Sequence, residues 1–397
     1  MTDWIIRSEY RKPLSIFIAL LWISIANAQI TTGADQPEKY LQLLKGKRVA
    51  AVVNQTSCLH KIKDIHLIDF LLKNNINVRC IFAPEHGFRG NHEAGAKIKN
   101  DTDATTGLPI YSLYGNTKKP SSKQLENIDI VLFDIQDVGA RFYTYISTLH
   151  YVMEACAELN KVLLILDRPN PNGFYVDGPV LDNRYSSFVG MHPVPVVHGM
   201  TIGEYAGMIN GEGWLKNKIK CSLNVVKVEN YNHSMKYTLP IAPSPNLRNM
   251  TAIYLYPTLC FLEGTSYSLG RGTVWPFECA GKPNLNHGDF IFKPTPIKGV
   301  ADNPPHANKE CRGYRYSNRI DSAFFSKPEI MLDILTQLYN NDPDTGAFFN
   351  TFFDKLAGNA LLRLQIIDRI SPAEIRLSWQ PGLIEYKKTR AKYLLYP

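Results

Sequence analysis

Along the first half of the chain, apolar runs that stop abruptly at polar residues alternate with segments of helical spacing. Arg48–Asn54, Val78–Ala83, Ile128–Phe133 and Val162–Leu166 are short and apolar, which predicts strands buried on both faces. Between them, Ile62–Lys73 carries Ile65, Leu67, Ile68, Leu71 and Leu72 at helical spacing. Tyr143–Asn160 carries a stripe of Ile146, Leu149, Val152, Met153 and Cys156, and a short helix is predicted at Glu38–Leu44. Strands joined by helices make βαβ units, hence a parallel sheet with right-handed crossovers. The predicted fold class is α/β. Polar residues follow each strand: Asn54, then Glu85, then Asp134 with Gln136 and Asp137, then Asp167 with Arg168 and Asn170. In a parallel sheet those ends share one edge, where α/β proteins bind ligands. A single acid there is more often a cap or turn residue, but four such ends together favour a site.

Past Thr201 the pattern loosens. A helix at Ile202–Asn210 and a strand at Leu223–Val228 lead into proline-rich turns, Ala242–Asn249. The remainder reads as α+β, with helices near Pro328–Asn340 and Leu383–Leu395. We place the boundary near 215–235, giving an α/β domain over 29–225 and an auxiliary α+β domain over 226–397. The first 28 residues read as a signal peptide. Arg7, Arg11 and Lys12 precede the apolar run Leu14–Ala26, and Ala26-Asn27-Ala28 is a small-x-small cleavage site. A periplasmic or secreted protein starting near Gln29 is expected, with no membrane span in the mature chain.

Composition adds exclusions. The net charge of +8 comes without a dense Lys/Arg run, so nucleic acid is not an expected partner. Seven cysteines lack metal-type CxxC spacing, and sequence does not pair them. The loop after the first strand, Asn54–His60, has no glycine, and neither GxxxxGK[ST] nor GxSxG occurs. Nucleotide and serine-nucleophile chemistry lose their usual support. His86, His92 and Glu93, with Asp134, raise a metal alternative, but H-x5-H-E does not put both imidazoles on one helical face. Carboxylate chemistry is left. Glycosidases commonly protonate the departing oxygen with a carboxylic acid. Glu85, in IFAPEHGFRG, fits that role if burial against Phe88 keeps it protonated; His86 competes for it. The bland alternative is that Glu85 pairs with Arg89 or Arg141 and only holds its loop.

The runs APEHGFRG, TGLPIYSLYG, DIVLFDIQDVGARFYTYISTLHYVMEA, LDRPNPNG, VPVVHGMTIGEYA, SPNLRN, YPTLCFLEGT and GRGTVWPFE resemble the exo-acting β-N-acetylmuramidases, from about Lys45 to the closing KYLLY. The resemblance implies a Rossmann-like domain, a smaller auxiliary domain and an active-site cleft between them. It also implies release of terminal N-acetylmuramic acid (MurNAc) from peptidoglycan fragments, without a cofactor, and places the family's catalytic glutamate at Glu85. That substrate carries a lactyl carboxylate, for which Arg141 or Arg271 would be the guanidinium partner. Asp134 or Asp137 would orient the sugar's acetamide or activate water. Asn54, Gln136, Tyr145, Asn170, His198, Asn246 and Glu263 complete the expected sugar contacts. The rivals are a non-catalytic peptidoglycan-binding protein and a metal-dependent hydrolase on the same sheet.

Overall fold

A computed structural model describes residues 29–62, 64–85, 87–88 and 101–397. The strands in chain order are β1 (Arg48–Val53), β2 (Cys58–Leu59), β3 (Ile65–His66), β4 (Asn77–Ala83), β5 (Asp101–Thr102), β6 (Pro109–Ser112), β7 (Ile130–Asp134), β8 (Val162–Leu166), β9 (Ser222–Val226), β10 (Cys279–Lys282), β11 (Phe290–Phe292) and β12 (Cys311–Arg315). The helices are α1 (Pro37–Leu44), α2 (Leu67–Lys73), α3 (Ser122–Leu125), α4 (Tyr145–Glu158), α5 (Ile202–Gly211), α6 (Met250–Leu259), α7 (Ser322–Ser326), α8 (Leu332–Asn340), α9 (Phe353–Ala357), α10 (Leu361–Ile367) and α11 (Pro372–Ala391).

The main sheet has seven strands in the order β5-β6-β4-β1-β7-β8-β9, all parallel except β5. Taken in chain order, the six parallel strands follow the doubly wound pattern 3-2-1-4-5-6. Their apolar runs are continuous because both faces are covered. Ala50, Val52, Val131 and Phe133 enter one core, whereas Val49, Ala51, Val53 and Leu132 enter the other, with α1 and α2. The first core does not stop at the sheet: it runs on through α6 and into α8, α9 and α11. A smaller antiparallel sheet, β10-β12-β11, lies beyond it.

Several boundaries differ from expectation. The helix predicted from Ile62 begins at Leu67, because Ile65–His66 pairs with Cys58–Leu59 as a small hairpin. The last helix begins at Pro372, not Leu383; Ser371 and Glu374 form a capping box there, with proline at the first position. Among the elements not anticipated, two bear on the site. Strand β6, bordered on its outer side only by the two-residue β5, is short and half-buried, and α6 contains Pro257, which reads as a breaker. All seven cysteines are buried free thiols.

Candidate active site

A cleft of about 650 Å³ opens between the carboxyl edge of the main sheet and the second half of the chain. One wall comes from the loops after β4 and β6 and the start of α4: Glu85, Tyr114, Lys118, Tyr143 and Thr144. The facing wall includes Leu247, Tyr256, Glu263, Arg271 and Phe277, with Val300–Pro304 along one rim.

Glu85 is placed by a tight turn. Strand β4 ends at Ala83, Pro84 cannot extend the ladder, and Gly87 N–H returns to the Pro84 carbonyl at 3.0 Å. Gly87 has φ +77°, a conformation that favours glycine. The half-buried carboxyl is fixed from α4: Thr144, at the helix N-cap, donates its hydroxyl to Glu85 Oε2 at 2.6 Å instead of capping its own helix. Across the cleft, Arg271 donates Nε and Nη2 to one oxygen of Glu263, at 2.9 and 2.6 Å.

The sheet edge itself is closed. In doubly wound proteins the strand order reverses between β1 and β7, and dinucleotides bind there. Here Thr56 Oγ1 donates to Asn54 Oδ1 at 2.6 Å, and Gln136 N–H donates to Thr56 Oγ1 at 3.0 Å. Ser57 donates to the Asp134 carbonyl, sealing the crevice with the protein's own polar groups. The Asp134 carboxylate takes Arg168 bidentately, at 2.5 and 2.9 Å.

Profiles of the two halves of the exo-β-N-acetylmuramidase NamZ match residues 49–251 (N-terminal) and 254–396 (C-terminal). The peptidoglycan β-N-acetylmuramidase NamZ of Bacillus subtilis (strain 168) is 38% identical over 388 residues, covering 93% of this chain and 92% of its own. The chain belongs to the NamZ family. Two crystal structures of DUF1343 family proteins from Bacteroides fragilis NCTC 9343 share its fold. One is 46% identical with a TM-score of 0.86, the other 30% identical with a TM-score of 0.76. Each covers 93% of this chain and 99% of its own.

Within this NamZ fold, the expected site residues separate into two groups. Glu85, Glu263 and Arg271 line the cleft. The other described ones are buried behind its wall. Tyr145 cannot offer a sugar face: Asn54 Nδ2 donates to its hydroxyl at 2.9 Å, and that hydroxyl donates to the Pro243 carbonyl. Gln136 bridges the Asp137 and Pro169 carbonyls, Asn170 holds the Met200 carbonyl, and Asn246 holds the rim segment through the Val300 carbonyl at 2.8 Å. Arg141 cannot reach a substrate carboxylate or Glu85, because it is fully buried with Nη1 on the Pro179 and Val194 carbonyls and Nη2 on those of Leu356 and Ala357.

Asp137, expected to orient the acetamide or activate water, is also behind the wall. Its Oδ2 accepts Gly139 N–H at 2.6 Å, and burial pushes its pKa up to about 7. His198 Nδ1 accepts Met200 N–H at 3.2 Å, leaving Nε2 to face Asp137 Oδ2 at 3.9 Å. Burial lowers that imidazole's pKa to about 3. Phe88 turns into the core and meets His66 edge-on at 4.9 Å. His86, Arg89, His92 and Glu93 lie outside the described residues. Among the described residues no cluster of His, Cys, Asp and Glu is arranged to hold a metal ion.

Sequence reasoning missed Thr144, Tyr114, Lys118 and Phe188. Thr144 sits one residue before a helix, where a hydroxyl is normally a cap. Tyr114 and Lys118 follow β6, the unanticipated strand.

Proposed function

We propose that this chain is a glycoside hydrolase that releases terminal MurNAc from the non-reducing end of peptidoglycan fragments such as MurNAc-GlcNAc, with Glu85 as the general acid. The carrying observation is the Glu85 carboxyl at the cleft wall, oriented by the Thr144 hydroxyl. A carboxyl already held in place before the sugar arrives is favoured for protonating the departing oxygen. Sugar binding alone has no need of such a group. The B. subtilis relative's name supports the same substrate class. His86 is the neighbouring acid/base candidate.

Glu85→Gln is expected to abolish hydrolysis of a chromogenic MurNAc glycoside, a loss of at least about 100-fold, while leaving the circular dichroism spectrum and melting curve unchanged. Near wild-type turnover by that folded variant would rule out the role. MurNAc-GlcNAc held intact by the wild-type protein would support the binding-protein alternative instead. Anomer-resolved NMR of the first product separates acetamide-assisted retention from direct attack of water.

We also propose export, on the basic-then-apolar leader ending at Ala28. No helix among the described residues is long and apolar enough to cross a membrane. Intact-mass measurement of the protein from its own cells should show a chain starting near Gln29; retention of Met1 would refute cleavage.

A further inference from the structure

Four charged side chains line the cleft among the described residues: Glu85, Lys118, Glu263 and Arg271. Three are already engaged. Thr144 holds Glu85, and Glu263 and Arg271 hold each other, with the guanidinium 4.9 Å from the Phe277 ring centre. The Arg271 charge is already balanced by Glu263, so a substrate carboxylate there would have to compete with an existing partly buried ion pair. Lys118 differs. Its ammonium makes no ion pair with another described residue and sits 4.5 Å from the centre of the Phe188 ring.

The surrounding chain explains why Lys118 faces the cleft. Its neighbour Lys119 turns the other way and bonds Glu154 and Glu158 of α4 at 2.8 and 2.6 Å. That pins the loop between β6 and α3 against α4. Phe188 is fixed as well: Ser147 Oγ donates to its carbonyl at 2.7 Å, and its ring lies 5.9 Å from Tyr114 and 6.3 Å from Tyr151. A cation held over an aromatic face accepts an anion next to an apolar group. A lactyl ether, a carboxylate beside a methyl, has that form.

We propose that Lys118 is the specificity residue that binds the lactyl carboxylate of the substrate, with Phe188 and Tyr114 packing against the lactyl methyl. The assignment rests on the MurNAc reading above and replaces Arg141 and Arg271 in this role. As a solvated point charge, Lys118 holds substrate and transition state alike, so its loss acts on KM.

The test compares chromogenic glycosides of MurNAc and of its lactyl methyl ester. Lys118→Met is expected to raise KM for the acid by about 10- to 100-fold, with kcat little changed and the ester unaffected. Lys118→Arg should recover most of the loss. Raising the ionic strength should weaken binding of the acid by wild type but not by Lys118→Met. An unchanged acid-to-ester preference in Lys118→Met overturns the assignment alone. Hydrolysis of neither glycoside by wild type overturns the functional reading, and the assignment with it.

Discussion

At the scale of single residues, the polar groups that cluster at the sheet edge perform different tasks. Asp137 illustrates the consequence of burial without a cation. Its Oδ1 has no hydrogen-bond partner among the described residues, and burial raises its pKa from the ordinary 3.8 to about 7. Between those values the native state keeps a proton that the unfolded chain releases, so stability falls as pH rises and levels off above about 7. His198 acts in the opposite sense. Burial lowers its pKa from 6.5 to about 3, so over that interval the unfolded chain binds a proton that the native state excludes, and stability rises with pH. Where the two windows overlap, slopes of about 1.4 kcal/mol per pH unit oppose each other. Asp137→Asn removes only the falling one. The variant should gain on wild type from about pH 4 to about pH 7, by up to several kcal/mol in all, with no further gain above. Urea titrations at several pH values measure this; a difference independent of pH would defeat the account.

At the scale of elements, legibility in the sequence followed local signal strength. Strands β1, β4, β7 and β8 were readable because two-sided burial writes a continuous apolar run, as in IVLFD of β7, where every residue is buried. Strand β6 was not: it has four residues, only one of them fully buried, begins with proline, and is covered on its outer side only by the two-residue β5. Missing it hid the loop that carries Tyr114 and Lys118. The same reasoning correctly predicted that polar residues gather where parallel strands end, but it could not tell lining from support. Asn54 and Asp134 reach groups supplied by other segments, Tyr145 and Arg168, and the Gln136 amide bonds the Asp137 and Pro169 carbonyls, so these polar groups are satisfied inside the wall. Glu85 stood out because a proline and a glycine force the chain out of the sheet at that residue. Its partner was less visible, since the Thr144 hydroxyl comes from 59 positions later.

At the scale of the whole molecule, the cleft exists because the two halves of the chain share one core. The apolar cluster that covers one face of the sheet also holds Ile253, Phe261, Leu338 and Phe353. Arg141 fastens this arrangement through polar contacts. Its guanidinium joins the Pro179 and Val194 carbonyls in the first half to the last turn of α9 in the second. Gly358 completes the seat: at φ +76°, a Cβ built there would lie 2.7 Å from Arg141 Nη2. Two effects compete when the guanidinium is removed. Burial lowers the Arg141 pKa from 12.5 to about 9, so replacing it relieves a desolvation cost on the order of 5 kcal/mol. Against that, four carbonyls lose charge-assisted donors at about 1.5–3 kcal/mol each. The second effect is larger. Arg141→Met should therefore lower unfolding stability by a few kcal/mol, although the residue is not itself part of the cleft lining. Because the core is continuous, the urea transition should move to lower concentration as a single step, with no separate unfolding of the second half. Fluorescence and circular dichroism followed together would show this, and an unshifted midpoint would mean that the carbonyls find other donors.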